Sequence, residues 1–187
     1  MKFYFGDIWD LHDQGFYVVV PCSLSVSKKT GLAAMNSGVA REAAERFPDL
    51  PQRYGDAVNN GKVYVVFGDY RLIMMPTRMY YISGKAYDLD NIRIDINMVI
   101  NGLKMIAPIT RENIAIPLMG CGYGEANPGF LFPILSKLGN NFTLVLPDDG
   151  RVLTKYPRGY FLKLKSNPFI MNWNEAVYKL VELAKKG

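Results

Sequence analysis

Cysteine and histidine are nearly absent from this sequence. Its 187 residues include two cysteines, Cys22 and Cys121, and one histidine, His12. Two cysteines make no disulfide framework, and one histidine leaves a His/Cys metal centre short of ligands. The cysteines are expected as buried thiols, since free cysteine is among the most buried residue types. His12 follows an acidic turn and is expected at the surface. Long apolar runs are missing too. The stretches 16–21 and 73–76 fall far short of the ~20 residues that a membrane span needs. The opening MKFYFGDIWDLHD carries acidic residues too early for a signal peptide, so a cytoplasmic protein is expected. Internal repeats and low-complexity segments are also lacking. Neither sign of charge dominates: the net charge is +5, with 21% charged residues. A modest basic concentration at 155–166 (KYPRGYFLKLKS) suits an anionic ligand or weak nucleic-acid contact. It equally suits an ordinary solvated face.

Hydrophobic residues make up 49% of the chain, enough for one domain with a sizeable core. Short runs of strand length stand at 2–5, 16–21, 63–67, 72–75, 113–117 and 142–146. They are rich in Val, Ile, Phe and Tyr, and several do not alternate, which is the pattern of strands buried on both faces. Helical patterns lie between them, at 38–47, 89–106, 129–138 and 173–186. Asp88 is a candidate N-cap for the second, and Asn172 with Glu175 has capping-box spacing before the last. Alternating strands and helices predict an α/β fold with a mixed, largely parallel central sheet. Ligands of such sheets bind beyond the carboxyl ends of the strands. Cys22 follows the strand 16–21, Thr77 and Arg78 follow 72–75, and a glycine loop follows 113–117.

Three segments carry candidate chemistry. In FGDI (5–8) a strand runs into Asp7, whose carboxylate can accept from an amino group or simply shape a turn. In MNSGVAREAAERF (35–47), Asn36, Ser37 and Gly38 lead straight into a helix. A helix N-terminus offers unpaired N–H groups and the positive end of a dipole, a ready anion site. An ordinary N-cap by Asn36 or Ser37 would look the same. In PLMGCGYGE (117–125), Gly120, Gly122 and Gly124 let backbone amides come close to a partner that side chains would block. This loop is neither a P-loop nor a dinucleotide fingerprint.

Taken in order, these segments resemble the macrodomain family over roughly residues 1–147. The likeness is greatest to the subgroup of the terminal ADP-ribose protein glycohydrolase and the DNA ADP-ribosyl glycohydrolase antitoxins. The resemblance implies a three-layer α/β/α domain with an ADP-ribose cleft above the sheet. Residues 148–187 have no counterpart in it and are expected as a C-terminal extension packing on the same domain. Asp7 would hold the adenine amine beside the Ile8 backbone. The segment Asn36, Ser37, Gly38 and Val39 and the loop Gly120, Cys121, Gly122, Tyr123 and Gly124 would wrap the diphosphate and distal ribose, with Cys22 nearby. No cofactor is implied. The chain departs from the subgroup at telling places. Arg78 stands where the subgroup has a lysine, Gly124 where one member has an aspartate, with Glu125 beside it, and Pro21-Cys22 where many macrodomains have an asparagine. Arginine stays charged and cannot act as an amine nucleophile.

Three functions follow. One is a hydrolase acting on ADP-ribose 1″-phosphate or on an ADP-ribosylated macromolecule, with Arg78, Glu125 and Asn36 as its catalytic candidates. The second is a reader or sponge that binds the same ligand without turnover. The third is a nucleic-acid-binding α/β domain that uses the basic C-terminal region.

Overall fold

The computed structural model describes residues 2–78, 95–106, 111–119 and 138–146. In chain order they form β1 (Lys2–Phe5), α1 (Ile8–Asp13), β2 (Tyr17–Ser23), α2 (Gly38–Arg46), α3 (Leu50–Asn59), β3 (Val65–Phe67), β4 (Leu72–Arg78), α4 (Ile96–Ile106), β5 (Ile114–Pro117) and β6 (Phe142–Leu146). The six strands make one sheet in the order β1, β6, β5, β2, β4, β3. Only the β3–β4 pair is antiparallel. The other five strands therefore deliver their carboxyl ends to a single edge. The expected mixed, largely parallel sheet is the one observed.

The central strands are apolar on both faces because both faces are covered. In β2, Val18, Val20 and Cys22 pack with α1, α2 and α3, while Val19 packs with α4. In β4, Leu72 and Met74 take the first side, Ile73 and Met75 the second. This period-two division splits the core into two layers around the sheet.

Prolines mark the carboxyl edge. Pro21, Pro76 and Pro117 stand at or near the ends of β2, β4 and β5. A proline nitrogen has no hydrogen to give a ladder, so each weakens the pairing there. The β2–β4 ladder slips at this point. Cys22 pairs with Pro76 and Ser23 with Arg78, which leaves Thr77 as an extra residue.

Between β2 and α2 the chain folds into a small hairpin. Val26 bridges Ala33, the Ser27 amide donates to the Leu32 carbonyl at 2.9 Å, and the Gly31 amide donates to the Ser27 carbonyl at 2.8 Å. The Ala33 amide ties the hairpin to α3 through the Pro51 carbonyl, at 2.9 Å. Gly55 permits the contact: a Cβ there would stand 2.1 Å from the Gly31 carbonyl oxygen.

Several expectations need correction. Strands β2 and β4 run on to Ser23 and Arg78, past the apolar runs. Helices α1 and α3 lie in segments with no helical expectation. Helix α4 is capped by Asp95 rather than Asp88: Asp95 Oδ1 accepts from the amides of Asn97 at 2.9 Å and Met98 at 3.2 Å. His12 is not a surface residue. Its side chain is 15% exposed, Nε2 meets the Tyr70 carbonyl at 2.8 Å, and its ring packs edge-on against Trp9 and Phe47. A carbonyl can only accept, so Nε2 carries a proton. Residues 89–94, the helix expected at 129–138 (all but Leu138), the helix expected at 173–186 and the extension 148–187 lie outside the described residues.

Candidate functional site

The carboxyl edge gathers the polar residues that end the parallel strands. Asp7 follows β1, Ser23 ends β2, Thr77 and Arg78 end β4, and Met119 lies just past β5. Ser23 and Thr77 are buried although polar. Helices α1 and α2 both begin at this edge, each following a parallel strand. They are tied side by side: the Trp9 indole N–H donates to Glu42 at 2.9 Å, and the Arg46 guanidinium lies 4.7 Å over the Trp9 ring.

The start of α2 is open to an anion. Its N-cap, Ser37, makes no side-chain capping bond, and the first turn holds no acidic residue. Gly38 sits at φ +55°, a left-handed conformation that L side chains rarely adopt, and a Cβ built there meets none of the described residues within 4 Å. Unpaired amides, a positive dipole end and free space coincide at this helix start. Asn36 is exposed and Val39 half-buried against the core.

Asp7 has a structural duty. It caps α1, with Oδ1 accepting from the Trp9 amide at 3.0 Å. The turn-shaping reading of Asp7 is therefore realised, and its exposed carboxylate retains further acceptor capacity. Ile8, next in line, is buried in the core, so only its backbone faces outward chemistry.

Cys22 is the buried thiol that the sequence suggests. Its Sγ–H donates to the Tyr54 hydroxyl at 3.2 Å inside the α1–α3 layer. Burial pushes the thiol up to about 12, an effect only partly offset by its hydrogen bonding with Tyr54 and with the Met75 backbone. It stays protonated and offers a ligand no thiolate. Its carbonyl accepts from the Thr77 hydroxyl at 3.3 Å.

Thus Asp7, Ile8, Cys22, Gly38 and Arg78 come to one edge of one sheet, along with Asn36, Ser37 and Val39. Gly120, Cys121, Gly122, Tyr123, Gly124, Glu125 and the basic segment 155–166 lie outside the described residues. The polar pair Ser23 and Thr77 gains importance only in the structure. Its sequence signal is a proline followed by small polar residues at a strand end. No cluster of three or more metal-ligating side chains exists among the described residues, and no helix there is long and apolar enough to cross a membrane. A groove of about 520 Å³ bordered by His12, Asp13, Tyr70 and Arg71 lies at the opposite, amino edge. Its carboxylates are already engaged, Asp13 by Arg46 and Asp69 by Arg53.

No family model matches the chain, and no curated protein does. Solved structures do. The macrodomain of Thermus aquaticus DarG matches with a TM-score of 0.50 at 19% identity, over 77% of this chain and 95% of that one. The macrodomain of Mycobacterium tuberculosis DarG gives 0.54 at 16% identity, over 79% and 97%. The chain has the macrodomain fold. A third match is Thermosipho africanus DarTG in complex with ADP-ribose, with a TM-score of 0.55 and 17% identity. It covers 84% of this chain but 43% of that longer one. At such identities the likeness is one of macrodomain architecture. The chemistry has to be argued from this chain's own residues.

Proposed function

We propose that this protein binds ADP-ribose or a close derivative, such as ADP-ribose 1″-phosphate or an ADP-ribosyl adduct, at the carboxyl edge of its sheet. The observation that carries the reading is the start of α2. It is an uncapped helix N-terminus entered through a left-handed Gly38 with open space before it, in a macrodomain fold. The ADP-ribose held by the Thermosipho africanus protein supports the choice of ligand. In this reading the amides at Gly38 and Val39, with the loop 120–124, surround the diphosphate. The free acceptor capacity of Asp7 meets the adenine amine beside the Ile8 backbone. Asn36 and Ser37 lie toward the distal ribose.

Turnover would use Arg78 as a fixed fork of donors for a phosphate or developing oxyanion. Glu125 or Asn36 would handle the water. An arginine at that position favours a second reading beside the first, a reader or sponge that binds the ligand and leaves it intact. The experiment is calorimetry with ADP-ribose, ADP-ribose 1″-phosphate, AMP and a short DNA, followed by turnover assays on the phosphate and on ADP-ribosylated peptide and DNA. Binding of ADP-ribose with no turnover selects the reader. Tight binding of DNA alone sinks both readings.

A further inference from the structure

The ladder slip at the end of β4 has a built support. Pro76 cannot donate to β2, and the pairing steps from Cys22–Pro76 to Ser23–Arg78. An extra residue in one strand bends it and re-aims the side chains beyond, here Arg78. The extra residue, Thr77, is 6% exposed, and its hydroxyl closes onto the Cys22 carbonyl at 3.3 Å. Cys22 is itself anchored from behind by its thiol, which bonds the hydroxyl of the fully buried Tyr54 on α3. A chain of contacts therefore runs from α3 through Cys22 to the backbone that carries Arg78.

We propose that Thr77 is a positioning residue, whose hydroxyl sets the bulge that aims Arg78 across the carboxyl edge. This rests on the reading that the edge holds ADP-ribose. Thr77 touches no ligand in this scheme and acts only through Arg78. Removing its hydroxyl while keeping its shape should loosen the aim without emptying the core. Keeping the hydroxyl and removing the methyl should preserve it.

Two readouts test this, one of them free of ligand. The first is the Nε–H resonance of Arg78, assigned as the signal lost in Arg78→Lys. Thr77→Val should shift or broaden it, and Thr77→Ser should leave it in place. The second is ADP-ribose affinity. Loss of one hydrogen bond's net worth corresponds to a roughly three- to ten-fold weakening for Thr77→Val, with Thr77→Ser near wild type. In an Arg78→Ala background, Thr77→Val should add nothing further. The proposal is overturned if Thr77→Val matches wild type in both readouts, or if Thr77→Ser fails as Thr77→Val does. It is also overturned if the losses of Thr77→Val and Arg78→Ala multiply in the double variant. Wild-type protein that does not bind ADP-ribose removes the functional reading instead, and the resonance then decides the positioning role by itself.

Discussion

Replacing Gly55 by alanine should lift the 26–33 hairpin off α3. The new methyl would stand 2.1 Å from the Gly31 carbonyl oxygen and 3.1 Å from the Ala33 nitrogen. Both are backbone atoms, so no flexible side chain can yield. Alanine gains about 1 kcal/mol over glycine in a helix interior. Against this stand an overpacking penalty of about 1–3 kcal/mol and the Ala33 amide bond to Pro51, worth about 1 kcal/mol. A buried amide left without its partner raises the loss further. The net should be a destabilisation of about 2–3 kcal/mol, which for a chain of this length lowers Tm by roughly 5–10 °C. Urea denaturation followed by circular dichroism gives the free energy, and hydrogen exchange at the Ala33 amide reports the hairpin directly. A Gly55→Ala protein as stable as wild type, or stabilised by its helix propensity, would refute the close approach.

Gly38→Ala should be destabilised by about 1 kcal/mol, because φ +55° disfavours a side chain, and Gly38→Glu should abolish ADP-ribose binding while the thermal transition persists. Asp7→Ala should lose about 1 kcal/mol of cap stability along with affinity. Asp7→Asn keeps a capping oxygen, so calorimetry on the pair separates the two duties. Asp69 is held below the usual carboxylate range by Arg53, first through their hydrogen bond, 2.6 Å at its shortest. Its stabilising effect is present above the unfolded-state pKa and lost as pH falls through the lowered folded value. Asp69→Asn should lower stability at neutral pH, modestly because the pair is exposed, and flatten the acid limb below about pH 4, where the variant and wild-type curves converge. Cys22 should resist alkylation at pH 8 in the folded protein, with its thiol pushed up to about 12. Mass mapping of modified peptides distinguishes it from Cys121, and rapid labelling of Cys22 would contradict its burial.

The strands were legible because burial on both faces leaves unbroken runs such as Tyr17 to Val20 and Leu72 to Met75. Their true ends were not, since Pro21 and Pro76 read as stops although each strand continues past its proline. Helix α1 is six residues long, too short for a helical period to emerge. Helix α3 contains Gly55 and Pro51, which depress any propensity count. Yet Pro51 lies in its first turn, after Asp49, which is a start signal. His12 looked solvated beside Asp10 and Asp13, and only the tertiary fold brings Phe47 and Tyr70 to it. At the site, Cys22, Thr77 and Arg78 each directly following a strand-like run suggested one shared edge, and the parallel sheet supplies it. The Thr77–Cys22–Tyr54 contacts join residues far apart in sequence, which no local pattern reveals.

Among the described residues β1 stands at the border of the sheet and pairs only with β6, so Lys2 meets Thr143 across about 140 residues of chain. During synthesis the β2–β4 ladder can close long before β1 has a partner. The first strand made must wait for the last of the six, and such distant pairing slows folding. Asp7 travels with β1. The carboxyl edge is therefore completed late, after the ribosome has released residue 146, and a nascent or truncated chain lacking β6 should hold its α2 start without the carboxylate end of its cleft.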